Sequence, residues 1–238
     1  MTERGARRLD RDAATLRIGA SALTWRDDGL CIEIDETTSP WPSRVRGTVR
    51  LRADTFHATL YPLDASGRHV WQPIAPCALV EVDLERPRSR WRGHGYLDAN
   101  RGGAALEADF ARWHWARARA DDGSTTVLYD VQRRHGGALS MALAFDRDGR
   151  VASADAEAPP VCPLPRSAWR LDRATRSDTG RPARVVAALE DGPFYARSLV
   201  RASLQGSAVT AVHESLDLDR FASPWVQAML PFRMPRRR

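Results

Sequence analysis

WRGHGYLDANRGGAALEADFARWHWARA, residues 91–118, is the stretch whose reading decides the fold. His94, Tyr96 and Asp98 sit two apart, so in an extended chain all three point to one side, while Gly95 and Leu97 take the other. Gly102 and Gly103 punctuate the run and predict a turn. Beyond it Trp113 and Trp115 again share a side, with His114 opposite. This is a period of two, not 3.6, and it predicts strands. A carboxyl set among aromatic rings is unusual chemistry to bury. It suggests an acid kept neutral by desolvation, beside rings able to stabilise a cation.

The same pattern continues in both directions. Upstream, LRIGASALTW leads to a turn at RDDG and then to LCIEIDE, in which Leu30, Ile32 and Ile34 alternate with Cys31, Glu33 and Asp35. SPWPS (39–43) breaks the run, and RVRGTVRLRA alternates again. FHATLYPLD leads to a turn at ASGR; HVWQPIAP stalls at its prolines, and CALVEVDLE forms the next strand. Downstream, 113–156 reads as three or four strands joined by DDG, HGG and DRDG turns. A proline-rich segment (Pro159, Pro160, Pro163, Pro165) crosses over, two or three more strands follow, and RFASPWVQAMLPF reads as a short helix or an edge segment. Few stretches hold a helical period. Short strands with turn signals every eight to twelve residues or so predict an all-β chain, an antiparallel sandwich or barrel. Residues 1–15 are polar and expected to be loose. ERPRSR (85–90), polar and containing proline, is the candidate link between two parts, 1–87 and 88–238.

Composition narrows the function classes. The chain has 238 residues, 43% of them hydrophobic, enough for one large β domain or two small ones. No apolar run approaches the roughly 20 residues that span a bilayer. The charged N-terminus, MTERGARRLDRD, lacks the apolar core of a secretory signal, so the expected location is the cytoplasm. The net charge is +6, yet all 36 cationic side chains are arginine. That points to GC-rich coding, and the charges are interspersed with Asp and Glu, so no nucleic-acid partner is expected. The tail Arg236, Arg237, Arg238 fits either anionic lipid headgroups or a solvated terminus. Cys31, Cys77 and Cys162 lie far apart and lack zinc spacing, so they read as buried reduced thiols and no metal site is expected.

Common catalytic signatures are missing: no P-loop, no dinucleotide fingerprint, no nucleophile elbow and no HExxH. What stands out is one acid with many rings. Tyr96 and Asp98 place a phenol and a carboxyl on one side of a strand. His69 and Trp71 repeat the theme with an imidazole and an indole. Each pair also has a bland reading, because Tyr and Trp on strands commonly pack cores, and Asp98 in GYLDAN also suits an Asx turn.

These residues carry a resemblance. The stretch 91–118 is similar to the signature W-x-G-x-G-Y-x-D-x-N-x-G-x-x-x-L-E-x-x-F-x-x-W-x-W-x-R-A of the carotenoid 1,2-hydratases, or hydroxyneurosporene synthases, of phototrophic bacteria. RVRGTVRL, GRHVWQPIAP and VLYDVQRR agree with it, and the match spans most of residues 16–150. The resemblance implies two lipocalin-like β units. It also implies that a further segment precedes the position of Met1 in family members, so that this chain begins inside the first unit. The implied reaction needs no cofactor: hydration of the terminal C1=C2 bond of acyclic carotenoids such as neurosporene and lycopene. Implied partners are the carotenoid and water, with peripheral membrane contact because the substrate dissolves in lipid. Asp98 resembles the acid that protonates C2. Tyr96 and Trp71 would line the tertiary cation, and His69 would orient the acid or the attacking water. Two other readings stay open: a carrier that binds a polyene without reacting, and a cyclase that traps the cation internally.

Overall fold

The computed structural model describes residues 5–26, 28–38, 41–153 and 158–233. The triple-arginine tail and the first two residues of SPWPS lie outside them. The described residues form mostly antiparallel β-structure, the class the alternation predicts. It divides into two compact units: Met1–Asp54, Cys77–Leu97 and Gln227–Arg238 in one, Thr55–Pro76 and Asp98–Val226 in the other.

The first unit is a meander. Strands β1 (Leu9–Arg11), β2 (Thr15–Ile18), β3 (Ser21–Arg26), β4 (Gly29–Thr37) and β5 (Arg44–Ala53) each pair with the next. Leu30 faces Leu51 and Ile32 faces Val49 across the β4–β5 ladder. The buried hydrophobic side chains here are Ala22, Leu30, Cys31, Leu51, Ala78 and Val82. Cys31 is buried as expected, but Cys77 and Cys162 are only half-buried; all three are free thiols. The N-terminal stretch expected to be loose instead forms the β1–β2 hairpin. Asp12 Oδ1 accepts the backbone N–H groups of Ala14 and Thr15, both at 2.7 Å, and closes its turn. Polarity misled there because an exposed hairpin needs no apolar side.

After the short β6 (Tyr61–Pro62) comes the longest strand, β7 (His69–Arg86), followed by β8 (Ser89–Gly102). Two sequence expectations fail on this hairpin. HVWQPIAP does not stall; β7 runs straight through Pro73 and Pro76. Proline is tolerated in a strand where its missing N–H has no ladder partner. Here β6 pairs with Val70 and Trp71, and β5 pairs from Ala78 onward, so both prolines fall in the gap between. The segment 85–90 is no linker either: Pro87 and Arg88 make the turn from β7 into β8.

The second unit centres on a seven-stranded sheet. One turn of helix, α1 (Leu106–Asp109), leads into β9 (Phe110–Arg119), β10 (Thr125–Arg133), β11 (Ala138–Phe145) and β12 (Val151–Ser153). The proline-rich segment becomes β13 (Val161–Leu164), which pairs with β14 (Arg173–Arg176) as a separate ladder. Then β15 (Arg184–Asp191), β16 (Tyr195–Leu204) and β17 (Ser207–Asp217) return, and β17 closes on β9. The order is β12-β11-β10-β9-β17-β16-β15. Helices α2 (Leu218–Ala222) and α3 (Pro224–Arg233) follow, so RFASPWVQAMLPF is helical.

Alternation splits this sheet into two faces. Ala116, Ala118, Leu128, Ala142, Val200, Ala202 and Ala211 form one, packed with Leu164 and Ala183. Small side chains at so many of these positions let the β13–β14 segment lie close. Arg176 of β14 clamps it to β10, donating to Asp130 through Nε (2.9 Å to Oδ2) and Nη2 (2.7 Å to Oδ1). The other face carries Trp113, Trp115, Val127, Tyr129 and Val131, set opposite one another across β9 and β10. The candidate site is built on this second face.

Candidate active site

His69 and Trp71 are two apart on β7 and so share a side of it, as the HxW spacing predicts. Both are enclosed: His69 is 2% exposed and Trp71 0%. On β8, Asp98, Asn100 and Gly102 share a side in the same way. Asp98 is half-buried and lies in extended strand, which removes the turn reading of GYLDAN. The indole Nε1–H of Trp71 donates to Asp98 Oδ2 at 2.8 Å. An indole nitrogen can only donate, so Oδ2 accepts. The bond therefore aims the carboxyl as well as holding it.

Six rings run on from that contact. Tyr61 lies 5.3 Å from Trp71 between centroids, and Tyr129 meets Trp71 edge-on at 5.4 Å. Trp113 sits edge-on to Tyr129 at 6.4 Å and to Phe110 at 6.1 Å, and Phe110 is edge-on to His69 at 4.8 Å. These tilted and edge-to-face arrangements match the quadrupoles of the rings. Tyr129 is 2% exposed, and its hydroxyl reaches toward Asn100 Oδ1 at 3.5 Å. Burial pushes its phenol far above the ordinary range, so it stays a neutral ring. The cluster is thus apolar, with a carboxyl at one end.

A second carboxyl closes the other end. Asp109, at the last residue of α1, accepts from His69 Nε2 at 2.7 Å and from Arg68 Nη2. An acceptor at Nε2 places a hydrogen there. Nδ1 of His69 is buried and has no hydrogen-bond partner, and it faces the backbone of Gly102. A third carboxyl, Asp64, accepts the backbone N–H of His69 at 2.7 Å. Burial alone would raise the Asp64 pKa. The Ser66 hydroxyl and the backbone N–H groups of His69, Arg68 and Ser66 outweigh it and hold the carboxyl down at about 2.

The structure therefore brings three of the four sequence candidates, His69, Trp71 and Asp98, into one cluster. Tyr96 is half-buried on β8 and belongs to the first unit. His69 is bonded to Asp109, whereas the resemblance implied a role in orienting Asp98 or a water. Sequence reasoning missed Asp109, Asp64, Tyr61 and Tyr129. Only Tyr129 carried a signal, inside VLYDVQRR. Among the described residues no group of His, Cys, Asp and Glu could hold a metal ion. No helix among them is long and apolar enough to cross a membrane.

Comparison with known proteins places the chain. An acyclic carotenoid 1,2-hydratase of Thiocapsa roseopersicina is 53% identical over 99% of this chain, and that of Rubrivivax gelatinosus 46% over all of it. The chain spans 58% of the length of each. The hydratase of Cereibacter sphaeroides is 41% identical, and the chain covers 84% of it. A solved structure of an AttH protein from Nitrosomonas europaea is similar in fold, with a TM-score of 0.57 over 85% of this chain and 69% of its own. At 15% identity that likeness speaks for the β architecture alone. The model of the family described as carotenoid hydratase CrtC matches residues 1–238, and the chain belongs to that family.

Proposed function

We propose that this chain hydrates the terminal C1=C2 bond of acyclic carotenoids, without a cofactor, and that Asp98 is the proton donor. The observation that carries the reading is the 2.8 Å bond from Trp71 to Asp98 at the edge of a buried aromatic cluster. An isolated alkene is a very weak base, so its donor must be an acid poised in the neutral form, and apolar surroundings favour that form. Asp98 delivers its proton to C2, the π pair forms the new C2–H bond, and a tertiary cation is left at C1. Ring faces of Trp71 and Tyr129 stabilise it, each worth about 2 kcal/mol when desolvated. Water adds to C1, and its surplus proton returns to the Asp98 carboxylate, so water is consumed and the acid is regenerated. We assign the chain two lipocalin-like units and a peripheral position at a membrane, from which it can draw a lipid-soluble substrate.

The test is incubation with lycopene or neurosporene in water enriched in heavy oxygen. A labelled tertiary alcohol supports hydration; unchanged polyene that co-purifies supports a carrier, and an isomer of unchanged mass a cyclase. Asp98→Asn should retain binding and lose turnover. Near-normal turnover in that variant would remove Asp98 as the donor.

A further inference from the structure

Two contacts join β7 to β8 on the side that carries the cluster. Trp71 meets Asp98, and His69 meets Gly102. The second contact is tight. A Cβ built on Gly102 would lie 2.3 Å from His69 Nδ1 and 2.7 Å from Cε1, closer than atoms can approach. Only glycine lets the strand come this near the imidazole. Beside it, Gly103 N–H donates to Arg68 O at 3.0 Å, so the end of β8 is pinned to the start of β7 at adjacent residues. The imidazole that forms the seat is itself fixed from behind. Its Nε2 is held by Asp109, its backbone N–H by Asp64, and its ring edge by Phe110. Asp109 is in turn held by Arg68, the neighbour of His69.

We propose that Asp109 is a positioning residue for Asp98: it locks the His69 ring, the ring seats Gly102, and the seated end of β8 sets the Trp71–Asp98 hydrogen bond. The inference rests on Asp98 being the proton donor. Asp109 bonds to His69 and Arg68 on and beside β7, so its effect on the donor passes through the strand. Four residues of extended chain separate Gly102 from Asp98, roughly 13 Å, and a strand transmits a shift over that length with little loss. Three sequence-distant groups, Asp109, Phe110 and Gly102, close on one imidazole that makes no bond to the donor. That arrangement follows if its task is to hold strand against strand, and Nδ1 needs no partner because its role is contact.

Displacing a reacting group by about 1 Å costs on the order of 10²-fold in rate. Asp109→Ala should therefore lower kcat roughly 10²-fold with KM within about threefold. Asp109→Asn, which keeps an oxygen toward His69, should recover part of the loss. The direct readout is the indole N–H spectrum of the 15N-labelled chain, with the Trp71 peak assigned through Trp71→Phe. In Asp109→Ala the Trp71 peak should move toward its position in Asp98→Ala, while those of Trp169 and Trp225 stay in place. Gly102→Ala, which acts on the same contact from the other strand, should do likewise. His69→Ala/Gly102→Ala should match His69→Ala alone, because the added methyl then has no ring to meet. A folded Asp109→Ala or Gly102→Ala chain with an unmoved Trp71 peak and near-normal kcat overturns the proposal. If instead Asp98→Asn turns over normally, the donor assignment falls, and the Trp71 peak still decides whether Asp109 sets the contact.

Discussion

His213 makes the stability of the second unit depend on pH in a calculable way. It is 0% exposed on β17, with Nε2 donating to Ala174 O at 2.8 Å and Nδ1 without a partner. His114 stacks on it at 6.2 Å, and the Arg173 guanidinium lies near. Burial lowers its pKa most. The Ala174 carbonyl opposes that, His114 and Arg173 add to it, and the result falls from 6.5 to about 4. A base with a depressed folded pKa takes up its proton more readily when unfolded. Its contribution is therefore complete above pH 6.5 and is lost as pH falls from there through about 4. The difference between the two values is worth roughly 3 kcal/mol in all, of which about 2 kcal/mol is gone by pH 5. Urea unfolding followed by tryptophan fluorescence at pH 7.5 and 5.0, at constant ionic strength, measures the loss. His213→Gln keeps a donor for Ala174 and cannot charge, so its loss over the same interval should be smaller by about 2 kcal/mol. His114, lowered chiefly by burial, accounts for part of the remainder. A variant that lost as much stability as the parent would show that His213 is not held neutral, and the reasoning from burial would fail.

Two further outcomes concern the rings. Trp71→Phe keeps a ring face but loses the N–H to Asp98, and should retain more turnover than Trp71→Ala; equal loss in kcat/KM would argue against cation stabilisation. Tyr129→Phe removes only a hydroxyl with one long contact and should leave kcat within a few-fold, whereas Tyr129→Leu should cost about thirtyfold, the rate equivalent of one desolvated ring face. Similar kcat values for the two Tyr129 variants would take that ring out of the reaction.

What the sequence made legible is what period two makes legible. Alternation through LCIEIDE and RVRGTVRL placed β4 and β5, and the DDG, HGG and DRDG turns placed β9 to β12. The errors came where local chemistry stood against a tertiary fact. Pro73 and Pro76 look like strand breakers until β6 and β5 are seen to pair with β7 only before and after them. ERPRSR looks like a linker because a two-residue hairpin turn and a polar link share a composition. The proline-rich crossover became the β13–β14 ladder because small residues on the main sheet leave room for it, a property of β9, β10 and β16 that β13 itself does not encode.

The site divides along the same line. HxW and YxD were readable because each pair lies within one strand, where spacing fixes the side. The resemblance put Trp71 and Asp98 at one site, but that Trp71 would bond to Asp98, 27 residues away, follows only from the β7–β8 hairpin. Asp109 had no such support. It sits 40 residues from His69 in a single helical turn that reads as ordinary acidic surface, LEAD, and nothing nearby in sequence asks for a buried carboxylate. Yet the imidazole implies it. A histidine with 2% exposure must find a partner for at least one nitrogen, and β7 offers none on that side. The partner had to come from elsewhere in the chain, and the residue that supplies it is the one proposed to position Asp98. Sequence spacing can therefore nominate the groups that do the chemistry, while the groups that hold them in place follow from asking which buried polar atoms the nominated strands leave unsatisfied.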